Sequence, residues 1–219
     1  MKPIVSMLLV AVALTGCDKN PSQEVGEDDP PVATNSQEAP VPAPRVNSDL
    51  AVPIAGPMPW VPEAGSAAKQ LGGQLKSKLQ AAMKDGGPTA AIAVCHEEAP
   101  KLAAEVSEAT GFTVTRVSAQ PRNPDMGVPT EWQRVVLAEF EARKTAGEDP
   151  DQLTWHAEVD GEQRFMKAIP TGGVCLACHG TELQPEIATA LAELYPNDEA
   201  TGYEAGDIRG AFVVTRAAP

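Results

Sequence analysis

The chain of 219 residues has no apolar run long enough to cross a bilayer. Its first apolar stretch, Ile4 to Leu14 interrupted by Ser6, falls well short of the roughly 20 residues that a spanning helix needs. There is no basic surplus either. Lysine and arginine number 17 against 30 acidic residues, giving a net charge of −13 and a pI near 4.6. Such a balance argues against nucleic acid as a partner and is compatible with a basic electron-transfer protein, which an acidic surface steers towards itself. Internal repeats are absent, so a solenoid is excluded. Only four cysteines and three histidines are available for thiol or metal chemistry.

Three of those seven residues fall in one stretch, Cys175-Leu176-Ala177-Cys178-His179. The spacing Cys-x-x-Cys-His is the attachment signature of c-type haem: two thiols two residues apart add to the vinyl groups on one edge of the porphyrin, and the adjacent histidine meets the iron from one face. A Cys-x-x-Cys pair also serves as a redox disulfide or as half of a zinc site. A zinc site wants two further ligands at comparable spacing, and none follows. A redox pair has no need of the histidine. The alternative to one haem c is therefore a haem-free dithiol or metal-binding protein built on Cys175 and Cys178.

The N-terminus predicts export. Lys2 and the short apolar run have the form of a signal peptide, residues 1–16. Leu14-Thr15-Gly16-Cys17 resembles a bacterial lipobox, which implies cleavage before Cys17 and lipid on that cysteine. The protein is then anchored to a membrane through Cys17, facing the periplasm, and not spanning it. Asp18 resembles an inner-membrane retention signal. Export and haem agree, because haem c is attached outside the bacterial cytoplasm. Residues 17–65 are rich in Pro, Glu, Asp, Ser and Ala, including Pro40-Val41-Pro42-Ala43-Pro44, and are expected to form a disordered acidic tether. Met58 and Trp60 near its end are expected to pack back onto the folded domain.

The ordered domain is expected to span 66–219. Leu71, Leu75, Leu79 and Met83 recur every four residues and predict a helix ending at Gly86-Gly87. Ile92, Cys95, Ala99, Leu102 and Val106 predict a second apolar stripe, which Pro100 interrupts or kinks. Phe112 to Ser118 reads as a strand, and Thr130 with Gln133 makes a capping box for a helix to about Lys144 that buries Trp132, Val136 and Phe140. Thr154–Val159 and Arg164–Ile169, joined across Asp160-Gly161, read as a hairpin. Pro185–Leu194 is a further helix, and Ile208–Thr215 a closing strand. The fold class is α+β.

With Cys17 assigned to lipid and two cysteines to haem, Cys95 is left over. A lone cysteine on a helical stripe is most often a small core residue; it is also a candidate second axial ligand, as thiolate, opposite His179. His96, His156, Met83, Met126 and Met166 compete for that position.

Several ordered blocks carry a family resemblance: Val94-Cys95 with Ala99-Pro100, Thr115-Arg116-Val117-Ser118, Arg122-Asn123-Pro124, Arg164 to Pro170, the haem motif, Leu194 to Asp198, Ala200 to Tyr203, and Gly206 to Gly210. Together they resemble the Tll-like haem c domain family, from about Ser66 to Thr215. The resemblance implies a PAS-like antiparallel sheet with flanking helices, one haem c, and His179 and Cys95 as axial ligands. Ala168 and Asp125-Met126-Gly127 depart from the family's blocks. Related domains serve as extracytoplasmic sensory modules. This sequence shows no kinase or cyclase motif, so a sensory output needs an unidentified redox or signalling partner. With both axial positions filled, electron transfer or redox and gas sensing is expected in preference to catalysis. Arg116, Arg122, Arg164 and Arg209 are candidate haem-pocket contacts, through propionates or thiolate charge.

Overall fold

A computed structural model of the chain describes residues 58–219. The expected signal peptide, Cys17 and most of the expected tether lie outside the described residues. Order begins six residues earlier than the sequence suggested: α1 runs Trp60–Ala93. Its first turns bury Trp60, Ala64, Ala67, Ala68 and Leu71, and Met58 packs against the same cluster. Alanine carries little weight in a hydrophobic pattern, so this small-residue face was missed. The expected break occurs at Gly87, whose φ of 70° and ψ of −168° leave the helical region immediately before Pro88. Glycine reaches such a φ without steric cost.

Pro100 does not end the second helix. A single wide π-turn, Val94–Glu98, precedes α2, Ala99–Thr110, and the Ala99 amide donates to the Val94 carbonyl five residues back. Pro100 follows this turn directly, and the wider turn accommodates a residue that has no N–H to donate to the carbonyls upstream. Gly111 closes α2 in the left-handed conformation.

Strands β1 (Thr113–Val117), β2 (Thr154–Val159), β3 (Glu162–Pro170) and β4 (Ile208–Ala217) form one antiparallel sheet in the order β1-β4-β3-β2. The short α3 (Pro124–Gly127) and the helix α4 (Glu131–Thr145) lie between β1 and β2. Thr130 and Gln133 make the expected reciprocal cap on α4. The haem motif occupies a 3₁₀ turn, Gly173–Cys175, and the one-turn α5, Leu176–His179, ahead of α6, Pro185–Leu194.

Strand alternation sends successive side chains to opposite faces. Val114, Phe165 and Val214 pack against α1 and α2. Val117, Met166, Ala168, Ala211 and Val213 pack against Val136, Leu137 and Phe140 of α4. The architecture is the expected α+β arrangement, an antiparallel sheet with flanking helices. A third cluster, Ile92, Ile187, Leu191 and Tyr195, with Cys178 and Leu183 against it, fastens α6 to both the end of α1 and the haem motif.

Candidate functional site

On the α1 and α2 side of the sheet lies a cavity of about 450 Å³, within the size range of small-molecule and cofactor sites. Its walls include Leu79 and Met83 of α1, Cys95 of the π-turn, Arg116 of β1, Arg122, the haem-motif residues Cys175, Cys178 and His179, Tyr195, and Arg209 of β4. The apolar stripe of α1 thus divides its work: Leu71 is core, while Leu79 and Met83 face the cavity. A π-turn displaces the residues it carries relative to an ordinary helix, and such turns recur at functional sites; here it carries Cys95. All three cysteines of the described residues are free thiols and half-buried.

His179 is held from behind. Its Nδ1 donates to the Ala200 carbonyl at 2.7 Å, which fixes the tautomer and leaves Nε2 as the lone pair available to a ligand-binding partner. Burial, reinforced by the nearby Arg209 and Arg122 cations, pushes its pKa down to about 3, so the imidazole is neutral at ordinary pH. The segment carrying Ala200 runs alongside the haem motif. The Tyr203 amide donates to the His179 carbonyl at 2.9 Å and the Gly202 amide to the Gly180 carbonyl at 3.0 Å. The Tyr203 ring meets the His179 ring edge-on, 6.3 Å between centroids.

Arg122 ties the same parts together. Its guanidinium donates to the carbonyls of Cys178 and, at 3.1 Å, of Ala200. Its Nε lies 3.1 Å from Asp198, with both side chains nearly buried at 12% and 10% exposure. Asp198 in turn accepts from the Ala200 amide at 2.8 Å. One cation therefore spans the last turn of the motif and the loop that orients its histidine.

Arg209 reaches the cavity through an irregularity. In an unbroken strand it would share the face of Ala211 and Val213, against α4. Between the pairs Ala168–Ala211 and Pro170–Ile208, β4 carries one more residue than β3, and this bulge in β4 lets Ile208 join the α4 core and turns Arg209 to the cavity instead. Gly210 makes this turn, with φ of 153° and a position where a Cβ would sit 2.3 Å from the Val117 carbonyl oxygen.

Three of the sequence candidates are placed differently from Cys95 and the motif. Arg164 is not a cavity residue. It shares the β3 face of Met166 and Ala168, pairs with Glu162 at 2.6 Å and lies over the Trp132 ring at 5.1 Å; strand alternation puts it on the α4 side. His156 meets Trp60 edge-on at 6.2 Å, outside the cavity lining. Met166 is fully buried in the α4 core. Cys17 is outside the described residues. Met83, His96 and the exposed Met126 do line the cavity, His96 with its ring against Tyr195 at 5.2 Å. Sequence reasoning missed Asp198, Ala200, Tyr195 and Tyr203 as parts of the site. Their blocks were visible, but a backbone carbonyl that orients a histidine leaves no mark in a side-chain pattern.

The profile of the Tll0287-like family matches residues 35–216. The chain belongs to the Tll0287-like family. Among solved structures it is similar to the crystal structure of the cyanobacterial heme-protein Tll0287, with a TM-score of 0.52 and 24% sequence identity over 72% of this chain and 91% of that one. That likeness is one of fold. No curated protein matches.

Proposed function

We propose that this family member is a single-haem c protein, lipid-anchored at Cys17 and facing the periplasm, which transfers electrons or senses redox state or a diatomic gas. Cys175 and Cys178 would hold the porphyrin covalently, through thioether bonds to its two vinyl groups. His179 and Cys95 would supply the two protein donors to its iron. The observation that carries the reading is the Nδ1 hydrogen bond of His179 to Ala200, which presents a neutral Nε2 within a cavity that Cys95 also lines. A metal-ligating histidine characteristically donates its other nitrogen to a carbonyl in this way. Membership of the family, and the heme-protein identity of the similar fold, support the same cofactor.

The residues present fit the group. Among the described residues no three His, Cys, Asp or Glu side chains converge as a bare metal ion would require, so the donors are spaced around a cavity and not gathered at a point. The haem-free dithiol reading also has a chemical obstacle. Burial raises the Cys178 thiol above its usual range, whereas a redox dithiol works through a stabilised thiolate. Bound haem supplies a one-electron ferric/ferrous couple. The chain's own contribution is to orient Nε2, to supply a second donor from the π-turn, and to exclude water with Ile92, Tyr195 and α6. With His179 and Cys95 both on iron no vacant position remains for a substrate, which favours a carrier or sensor over a catalyst.

The test is the visible spectrum, oxidised and reduced, of protein matured with the cytochrome c assembly machinery, for wild type and Cys95→Ala. A c-type spectrum that loses its low-spin thiolate signature in the variant is the expected result. A c-type spectrum unchanged by the substitution removes Cys95 from the iron and turns attention to His96 and Met83. No covalent haem in the wild type overturns the reading in favour of a dithiol.

A further inference from the structure

Among the described residues, two cations in the cavity have no acidic partner. Arg122 is committed to Asp198 and two carbonyls, and Arg164 to Glu162. Arg116 and Arg209 have no acidic side chain within ion-pair distance among the described residues, and Arg209 Nε is buried with no hydrogen-bond partner. The fold brings these two cations close. Ser118, two residues beyond Arg116, donates its hydroxyl to the Arg209 carbonyl at 2.7 Å, and Arg116 sits opposite Phe212 in the β1–β4 pairing, three residues from Arg209. Burial and then the Arg209 charge both lower the Arg116 pKa. Both arginines are half-buried; charge partly withdrawn from water without a partner is costly, and like charges near each other compound that cost. The bulge at Gly210, a position only glycine fits, turns Arg209 to the cavity side. A ligand that brings two negative charges answers every one of these features, and guanidinium forks match carboxylates in geometry and charge.

We propose that Arg116 and Arg209 form a paired guanidinium subsite that takes the two propionate carboxylates of the covalently held haem, while Arg122 is a positioning residue that touches the protein and not the cofactor. This rests on the haem reading above. It divides the arginines of the cavity by task. Such a subsite would hold the carboxylates of the group from β1 and β4, while Cys175 and Cys178 would hold it covalently.

The experiment uses matured wild type, Arg116→Gln, Arg209→Gln and the charge-conserving Arg116→Lys and Arg209→Lys, with the propionate carboxylates carrying ¹³C. Covalent haem is first measured by the pyridine haemochrome, so that failure of the haem reading appears as absent haem in the wild type. Isotope-edited infrared difference spectra between oxidised and reduced forms then report the carboxylates directly. The expected result is a shift of the ¹³C-sensitive carboxylate bands in both glutamine variants, partly reversed in the lysine variants, with a lowered reduction potential in each glutamine variant. Bands unchanged in both glutamine variants overturn the proposal, as does a shift of the thiolate-to-iron transition alone, which would make Cys95 the partner of Arg116. Should either glutamine variant fail to fold, the lysine variants carry the test, since loss of the bidentate fork alone must still move the bands.

Discussion

Substituting Arg122 probes the hinge between the haem motif and the loop that orients its histidine. In Arg122→Gln the Asp198 carboxylate, 10% exposed, keeps its charge and loses its partner. Removing one member of a buried pair costs roughly 3–5 kcal/mol, and in a domain of this size each kcal/mol lowers the melting temperature by about 2–4 °C. The expected fall is therefore roughly 6–20 °C, with part of it from the two lost carbonyl hydrogen bonds. Asp198→Asn alone leaves the cation uncompensated in the same way. The double variant Arg122→Gln/Asp198→Asn leaves no unpaired charge, so its destabilisation should fall clearly below the sum of the two singles. Thermal unfolding followed by far-ultraviolet circular dichroism on all four proteins closes the cycle. Additivity within about 0.5 kcal/mol, or a melting temperature of Arg122→Gln equal to the wild type, would refute the argument that this pair is buried and coupled.

Gly210→Ala should lower stability by more than the roughly 1–3 kcal/mol of a strained backbone position, because the added Cβ meets the Val117 carbonyl oxygen at 2.3 Å; denaturant melts measure it. In haem-free protein, His179 has a pKa of about 3 in the fold against 6.5 for the free side chain. Between those values the unfolded chain binds more protons, so stability falls as pH drops from about 6.5 towards 3, at up to about 1.4 kcal/mol per unit; His179→Gln should flatten that slope in urea melts. Arg164→Gln, on the α4 face, should leave the haem spectrum and reduction potential at wild-type values. Cys175→Ala/Cys178→Ala should let acidified acetone extract all haem, whereas the wild type retains it.

Local chemistry was legible in the sequence wherever neighbours along the chain make the feature. The Thr130–Gln133 cap, the Asp160-Gly161 hairpin and the break at Gly87 each depend on residues a few positions apart, and the structure contains all three. The pairing of Cys95 with the motif did not follow from spacing. Eighty residues separate it from Cys175, and only the sheet, the π-turn and the packing of α6 bring both to one cavity. The arginines show the same limit. Alternation along β3 turns Arg164 away, and a bulge in β4 turns Arg209 inward against its strand's parity. Arg122 is drawn onto carbonyls that carry no side-chain signal. Composition and spacing determined which chemical groups the protein owns; the register of four strands determined which of them meet.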